Sequence, residues 1–192
     1  MKSLAPFLLV LAVGCASTKD VVSEEVMMSR WNEFMTPGAG HAALAPRIGT
    51  WNLKVRMFAA PGAPAQESTG TSTMQWILDG RYLEDVTTGE FGGQTFHGRG
   101  LVGFDNLRKE YVGTWIDNFG TGIMHSTGTY DAATRTFSFT GEMPEFSYAN
   151  DYVANRSTER WTDGDHWVME SFTPAADGSE FMSMQIEYSR AR

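Results

Sequence analysis

Gly49-Thr50-Trp51-Asn52-Leu53-Lys54-Val55-Arg56-Met57 alternates apolar and polar side chains without a break. Trp51, Leu53, Val55 and Met57 fall on one face, and Asn52, Lys54 and Arg56 on the other. A period of two is the signature of a strand with one dry and one wet face. The pattern returns about every dozen residues to the C-terminus, cut each time by turn residues. Strand candidates run over 50–58, 68–78, 81–89, 95–105, 110–116, 122–130, 136–142, 151–162, 166–173 and 180–189. Asp79-Gly80 and Asp163-Gly164 are hairpin pairs, and Asp105-Asn106 and Asp177-Gly178 serve similarly. Short turns make a meander, and an even strand number lets the last strand pair with the first, leaving no sticky edge. The expected fold is all-β: a single closed antiparallel up-and-down barrel of about ten strands, preceded by one short helix.

That helix is expected over 21–35, where Val22, Val26, Met27, Trp31, Phe34 and Met35 approximate a 3.6-residue period. Ser23 suits its N-cap, and Thr36-Pro37-Gly38 stops it. Trp31 and Phe34 favour a helix lying over the barrel mouth or wall rather than one free in solvent. Residues 41–46 read as a connector.

The 192 residues suit one domain with appendages. A net charge of -8 with no clustered basic run speaks against nucleic acid, whose phosphates need grouped Lys and Arg. The single cysteine, Cys15, excludes an intrachain disulfide and a cysteine-based metal site. Met1-Lys2-Ser3 is a short basic start before an apolar run, 4–13, that falls well below the roughly 20 residues a bilayer span needs. It reads as an export signal. Leu11-Ala12-Val13-Gly14-Cys15 resembles the lipobox of bacterial lipoproteins, with Ala12 where Leu is usual. The resemblance implies a signal peptide over 1–14 and a lipidated Cys15 opening a tether and short helix over 15–43; the barrel domain is expected over 44–192. With Ala16 rather than Asp after the cysteine, it implies an exported lipoprotein, on the periplasmic face of the outer membrane in a Gram-negative cell.

Several phrases together resemble a bacterial family of unknown function, DUF1579. They are Gly49-Thr50-Trp51, Leu78-Asp79-Gly80-Arg81-Tyr82-Leu83, Phe96-His97-Gly98-Arg99-Gly100, Gly103-Phe104-Asp105-Asn106, Thr114-Trp115-Ile116-Asp117-Asn118, Gly120-Thr121-Gly122 and Glu187-Tyr188-Ser189-Arg190. The resemblance covers residues 44–192. It implies a calycin-like, lipocalin-like barrel in which a Gly-x-Trp opens the first strand and packs the floor, and it brings no established activity.

Six residues are ligand-binding candidates: Arg81, Tyr82, His97, Arg99, Trp115 and His125. The Arg81 guanidinium could pair with a ligand carboxylate; alternatively it braces its hairpin with Asp79, or stacks on Trp51. Asp117 and Asn118 suit a turn that caps nearby amides, or a polar rim at an open barrel end. Trp115 sits in a strand whose two faces are both moderately apolar, so its direction stays open. The four histidines lack metal-ligand spacing, and no metal is expected. Haem held by His125 or His97 is the one cofactor variant. No nucleophile elbow or phosphate loop supports catalysis, and the reading leans against an enzyme. Gly98 and Gly100, side by side with Phe96, Val102 and Phe104, suggest inner room. Met74, Trp76, Leu78, Phe137, Phe139, Met182, Met184 and Ile186 are the expected apolar lining. The expected function is a cell-envelope lipoprotein binding a small hydrophobic or amphipathic molecule, anchored to the membrane at Cys15. An enzyme using the cavity and a structural module with a filled core are the alternatives.

Overall fold

The computed structural model describes residues 20–192; the expected signal peptide over 1–14, the lipobox-like stretch and Cys15 lie outside the described residues. Helix α1 (Glu24–Met35) and helix α2 (Ala39–Ala42) lead through a 3₁₀ turn (Ala45–Arg47) into ten strands. These are β1 (Gly49–Met57), β2 (Gln66–Ile77), β3 (Tyr82–Phe91), β4 (Gln94–Asp105), β5 (Glu110–Asp117), β6 (Met124–Asp131), β7 (Thr136–Glu145), β8 (Asp151–Trp161), β9 (His166–Pro174) and β10 (Glu180–Arg190). Each pairs antiparallel with its sequence neighbours, and β10 returns to β1, from Trp51 opposite Arg190 to Met57 opposite Met184. The barrel is closed, as the alternation predicts.

Pairing carries one side-chain parity round the whole circle. Trp51 faces Ser72, Ser72 faces Thr87, and Thr87 faces Gly98. On the far side Phe137 faces Glu159, Glu159 faces Met169, and Met169 faces Ile186. All of these therefore point inward. A bulge between Met182 and Met184 breaks the parity of β10. Met184 stays inside, while Met182 pairs with outward Phe172 and leaves the expected lining. Leu78 leaves it too: it sits in the β2–β3 turn at φ 48°, and is largely exposed.

The two ends of the barrel differ. At one end Leu44, Trp51, Met74, Leu83, Tyr111, Phe137, Trp161, Trp167 and Tyr188 are buried in one apolar cluster. Residues 41–46, expected to be a mere connector, form its plug together with Arg47: His41, Leu44 and Arg47 are all buried beneath the strands. Trp51 Nε1 donates to the Arg47 carbonyl at 2.8 Å, and Tyr111 Oη donates to the Gly40 carbonyl at 2.9 Å. The Arg190 guanidinium lies 4.2 Å above the Trp51 ring and donates to the Ile48 and Pro46 carbonyls. Gly49 permits this: its φ is +130°, and a Cβ there would sit 2.7 Å from Arg190 Nη1. The Gly-x-Trp phrase thus has a physical reason in this chain.

Helix α1 departs from expectation. Ser23 does cap it, its hydroxyl accepting from the Val26 amide, but no α1 residue is buried. Trp31 and Phe34 pack on each other, 6.1 Å apart, and both remain about half exposed. The hold at its end is Asn106 Nδ2, which donates to the carbonyls of Glu33, Phe34 and Thr36. Asn106 belongs to the β4–β5 turn, so α1 leaves from the plugged end of the barrel.

Trp51 joins plug, wall and closing strand, and it is fully buried. Trp51→Ala is expected to destabilise the fold by about 3–5 kcal/mol, the range for deleting a buried indole. A urea midpoint within error of the wild type would overturn that placement.

Candidate functional site

Above the plugged floor the inward residues change character. Val55, Asp85, Phe96, Trp115, Ser126, Gly141, Asn155, Ser157, Met169, Met184 and Ile186 all remain partly exposed although they point into the barrel. At the floor Leu44, Trp51 and Phe137 lose that exposure, while Trp76, Val102, Phe104 and Tyr130 pack against them and keep part of theirs. The half of the barrel opposite the plug is thus a candidate chamber, in which Ser72, Thr87, Ser171 and Thr173 are nonetheless buried.

The chamber holds polar groups of a kind that alternation alone does not advertise. Asp85 lies between Leu83 and Thr87 on the inner face of β3. Its Oδ1 accepts from Ser72 Oγ at 2.6 Å and from Thr87 Oγ1 at 2.9 Å. Desolvation raises its pKa from the ordinary carboxyl value, opposed by those two hydrogen bonds and by the charge of Arg47. Arg47 rises from the plug, and its Nη2 pairs with Glu159 Oε2. Its guanidinium sits 4.2 Å over Phe137 and 5.3 Å from the Trp167 ring centre. Burial lowers its pKa to about 10. Burial and the Asp85 charge push the Tyr188 phenol upward, so it stays protonated. Arg47 Nε and Trp167 Nε1 are buried without a hydrogen-bond partner. On the opposite wall Asn155 Nδ2 donates to Ser171 Oγ at 2.6 Å.

The mouth is aromatic. Phe96 stacks against Trp115 at 6.4 Å and meets Phe119 edge-on at 5.4 Å, and Phe91 lies 6.2 Å from Phe119. Trp115 points inward, with its Nε1 donating to Asp117 Oδ2 at 2.9 Å. Its indole lies across Gly98 and Gly100, where added Cβ atoms would come within 2.3 Å and 3.0 Å of the ring. The two glycines therefore accommodate Trp115 rather than leave empty room. Asp117 Oδ1 accepts from the Phe119 amide, and Asn118 bonds the His97 amide and the Thr95 carbonyl, so both serve the turn at the mouth.

Of the six candidates read from the sequence, the chamber receives Trp115. Tyr82, His97, Arg99 and His125 are on the outer face and exposed, with Arg99 3.7 Å from Glu84. Tyr82 covers Gly103 from outside. His125 lines a hollow of about 410 Å³ on the outer wall together with Ile123, Thr140 and Tyr152. Arg81 braces its hairpin at the plugged end, donating to the Leu78 carbonyl at 3.1 Å, and it is Arg190 that stacks on Trp51. The residues that sequence reasoning missed are Arg47, Ser72, Asp85, Thr87 and Glu159. For Asp85 the signal existed, because Leu83 and Thr87 flank it at the strand period.

A family model described as "Protein of unknown function (DUF1579)" matches residues 36–190. The chain belongs to this family. No curated protein matches the sequence. Among solved structures, an S-type phycobiliprotein lyase from Guillardia theta is similar in fold, with a TM-score of 0.52 at 10% identity. That alignment covers 81% of this chain and 99% of the lyase. A de novo designed fluorescence-activating β-barrel aligns over 78% of this chain and 97% of its own, with 18% identity and a TM-score of 0.43. The DUF1579 match begins at residue 36, so it includes the plug as well as the barrel.

The raised carboxyl of Asp85 carries a stability signature. The folded protein keeps a proton that the unfolded chain releases near pH ~3.9, so this group's stabilising contribution is full below that pH and is lost as pH rises through the raised value. Asp85→Asn is expected to be more stable than the wild type at neutral pH, with the difference shrinking on acidification. Denaturant midpoints across the acidic range check it; a difference independent of pH would refute it.

Proposed function

We propose that this DUF1579 protein is a lipid-anchored barrel of the cell envelope that binds one small apolar or amphipathic molecule. The guest enters between Phe91, Phe96, Trp115 and Phe119, lays its apolar part along Val55, Met169, Met184 and Ile186, and turns its polar end to Asp85. The observation carrying this reading is the partial exposure of inward side chains in the half of the barrel opposite the plug. Inward side chains from strands all round the barrel stay partly exposed above a floor that is sealed. Ligand sites combine mostly apolar walls with a few placed polar groups, and this interior has that composition. Methionines at Met169 and Met184 add a lining that adapts to irregular shapes. Binding is favoured over turnover because, among the described residues, the four histidines lie on the outer face, in turns or in the plug. The Ser72 and Thr87 hydroxyls thus lack the imidazole base that most commonly activates them.

Anchoring rests on the sequence alone. A lipidated Cys15 lies eight residues before the Ser23 cap of α1, and acyl chains supply ~0.8 kcal/mol per buried methylene to hold such a protein on a bilayer.

The purified protein is expected to take up N-phenyl-1-naphthylamine, a neutral dye that brightens in apolar surroundings, at a single saturable site. Trp115→Ala is expected to weaken this by about tenfold, or ~1.4 kcal/mol. Failure of the dye to saturate would sink the binding reading. Separately, Cys15→Ser is expected to move the protein from the membrane to the soluble fraction and to abolish labelling by radioactive palmitate. Retention of both would count against the anchor.

A further inference from the structure

We infer that the chamber selects guests whose polar end is an amine or another hydrogen-bond donor, and that it disfavours free carboxylates such as fatty-acid anions. This inference rests on the binding reading above and specifies the guest's head group.

Three observations carry it. First, the guanidinium that faces the interior is already engaged. Arg47 is bound to Glu159 and is covered by the Phe137 and Trp167 rings, and its side chain is 6% exposed. A fatty-acid carboxylate entering the barrel would have to displace Glu159 from that pair, at the cost of leaving a carboxylate unpaired in a low-dielectric interior. Second, Asp85 has capacity left. The hydrogen bonds from Ser72 and Thr87 both go to Oδ1, so Oδ2 is the atom offered to a guest. An ionised carboxylate only accepts hydrogen bonds, so its natural complement is an ammonium, amidinium, amide N–H or hydroxyl. The chamber's fixed charges, Arg47, Glu159 and Asp85, sum to one uncompensated acid when ionised.

Third, the mouth repeats the sign of the interior. Glu67, Glu90, Asp117, Glu145, Asp151, Asp177 and Glu180 stand at the strand ends and loops around it. Of the arginines on that end, Arg56 is paired with Glu67 and Glu187, and Arg156 with Glu180. A cleft lined by one sign of charge concentrates the opposite sign at its entrance and repels its own. Entrance and interior thus act in the same direction, against anions.

The test is displacement of bound N-phenyl-1-naphthylamine at neutral pH by dodecylamine and by dodecanoate, which share one chain length and differ at the head group. Dodecylamine is expected to reach half-displacement at a concentration about tenfold or more below that of dodecanoate. Asp85→Asn is expected to narrow that ratio to about threefold or less, because the amide offers no charge to the amine. Glu159→Gln is expected to shift preference toward dodecanoate by releasing Arg47, which keeps the test available if the Asp85 variant folds poorly. Dodecanoate binding equal to or tighter than dodecylamine, or a ratio unmoved in both variants, would overturn the inference while leaving the chamber reading intact. Absence of dye uptake by the wild type would overturn both.

Discussion

Trp51 is gripped from two sides, and the barrel depends on that grip. Its indole N–H holds the carbonyl of Arg47 from below, while the Arg190 guanidinium lies over its ring, 4.2 Å from the centre. Arg47 belongs to the plug, Trp51 to the first strand and Arg190 to the last. One aromatic side chain thus couples three tasks that are separate in sequence: stopping one end, starting the wall and closing it. Trp161 and Trp167 complete the floor at 5.8 Å and 6.1 Å from Trp51, in edge-on geometries that suit their ring quadrupoles. Because the floor is dense at one end, the other end can remain open without loss of the fold.

An open interior carries an energetic consequence. Asp85, Glu159 and Arg47 would cost several kcal/mol each if buried without partners, and each is provided for differently. Arg47 and Glu159 neutralise one another across the barrel. Asp85 relies on two hydroxyls and on retaining its proton more readily than usual. A chain selected for stability alone would place a methyl-bearing side chain opposite Met74 and Gly100, where Asp85 stands. Perturbed carboxyls held in concave sites are associated with function for this reason. The polar cluster around Asp85 is therefore the part of the interior that the proposed binding function, rather than the fold, accounts for.

How much of this was legible depended on whether the signal was local. The ten strands were, because an apolar-polar period survives any tertiary context that keeps one face dry, and their observed ends move by only a few residues. The plug was not. His41, Leu44 and Arg47 carry no period, and their burial comes from lying beneath residues a full barrel away in sequence, with Arg47 reaching Glu159 over 112 positions. Trp115 was ambiguous because both faces of β5 are apolar, and only the pairing of Gly100 opposite Trp115 settles its direction. Met182 was misplaced for the complementary reason. One bulged residue at the start of β10 reverses the face, and no turn residue announces it. Asp85 is readable from parity, but the conspicuous Asp-Gly turn draws attention to Arg81, which braces its hairpin at the closed end.

The polarity of the barrel gives the two readings of this chain a common geometry. Helix α1 departs beside Asn106, at the plugged end, and the tether toward Cys15 continues from it. Under the proposed lipidation of Cys15, the plugged end would face the bilayer and the aromatic mouth would face away from it. In that proposed arrangement the exposed Val26, Trp31 and Phe34 of α1 would lie on the membrane side, where apolar side chains find a partner. In that proposed orientation a guest would reach Asp85 through water and past the acidic rim, rather than by sliding laterally out of the lipid. Such a route suits an amphipathic molecule with measurable aqueous solubility, and it is the route on which the charge of the rim acts before any contact with the chamber is made.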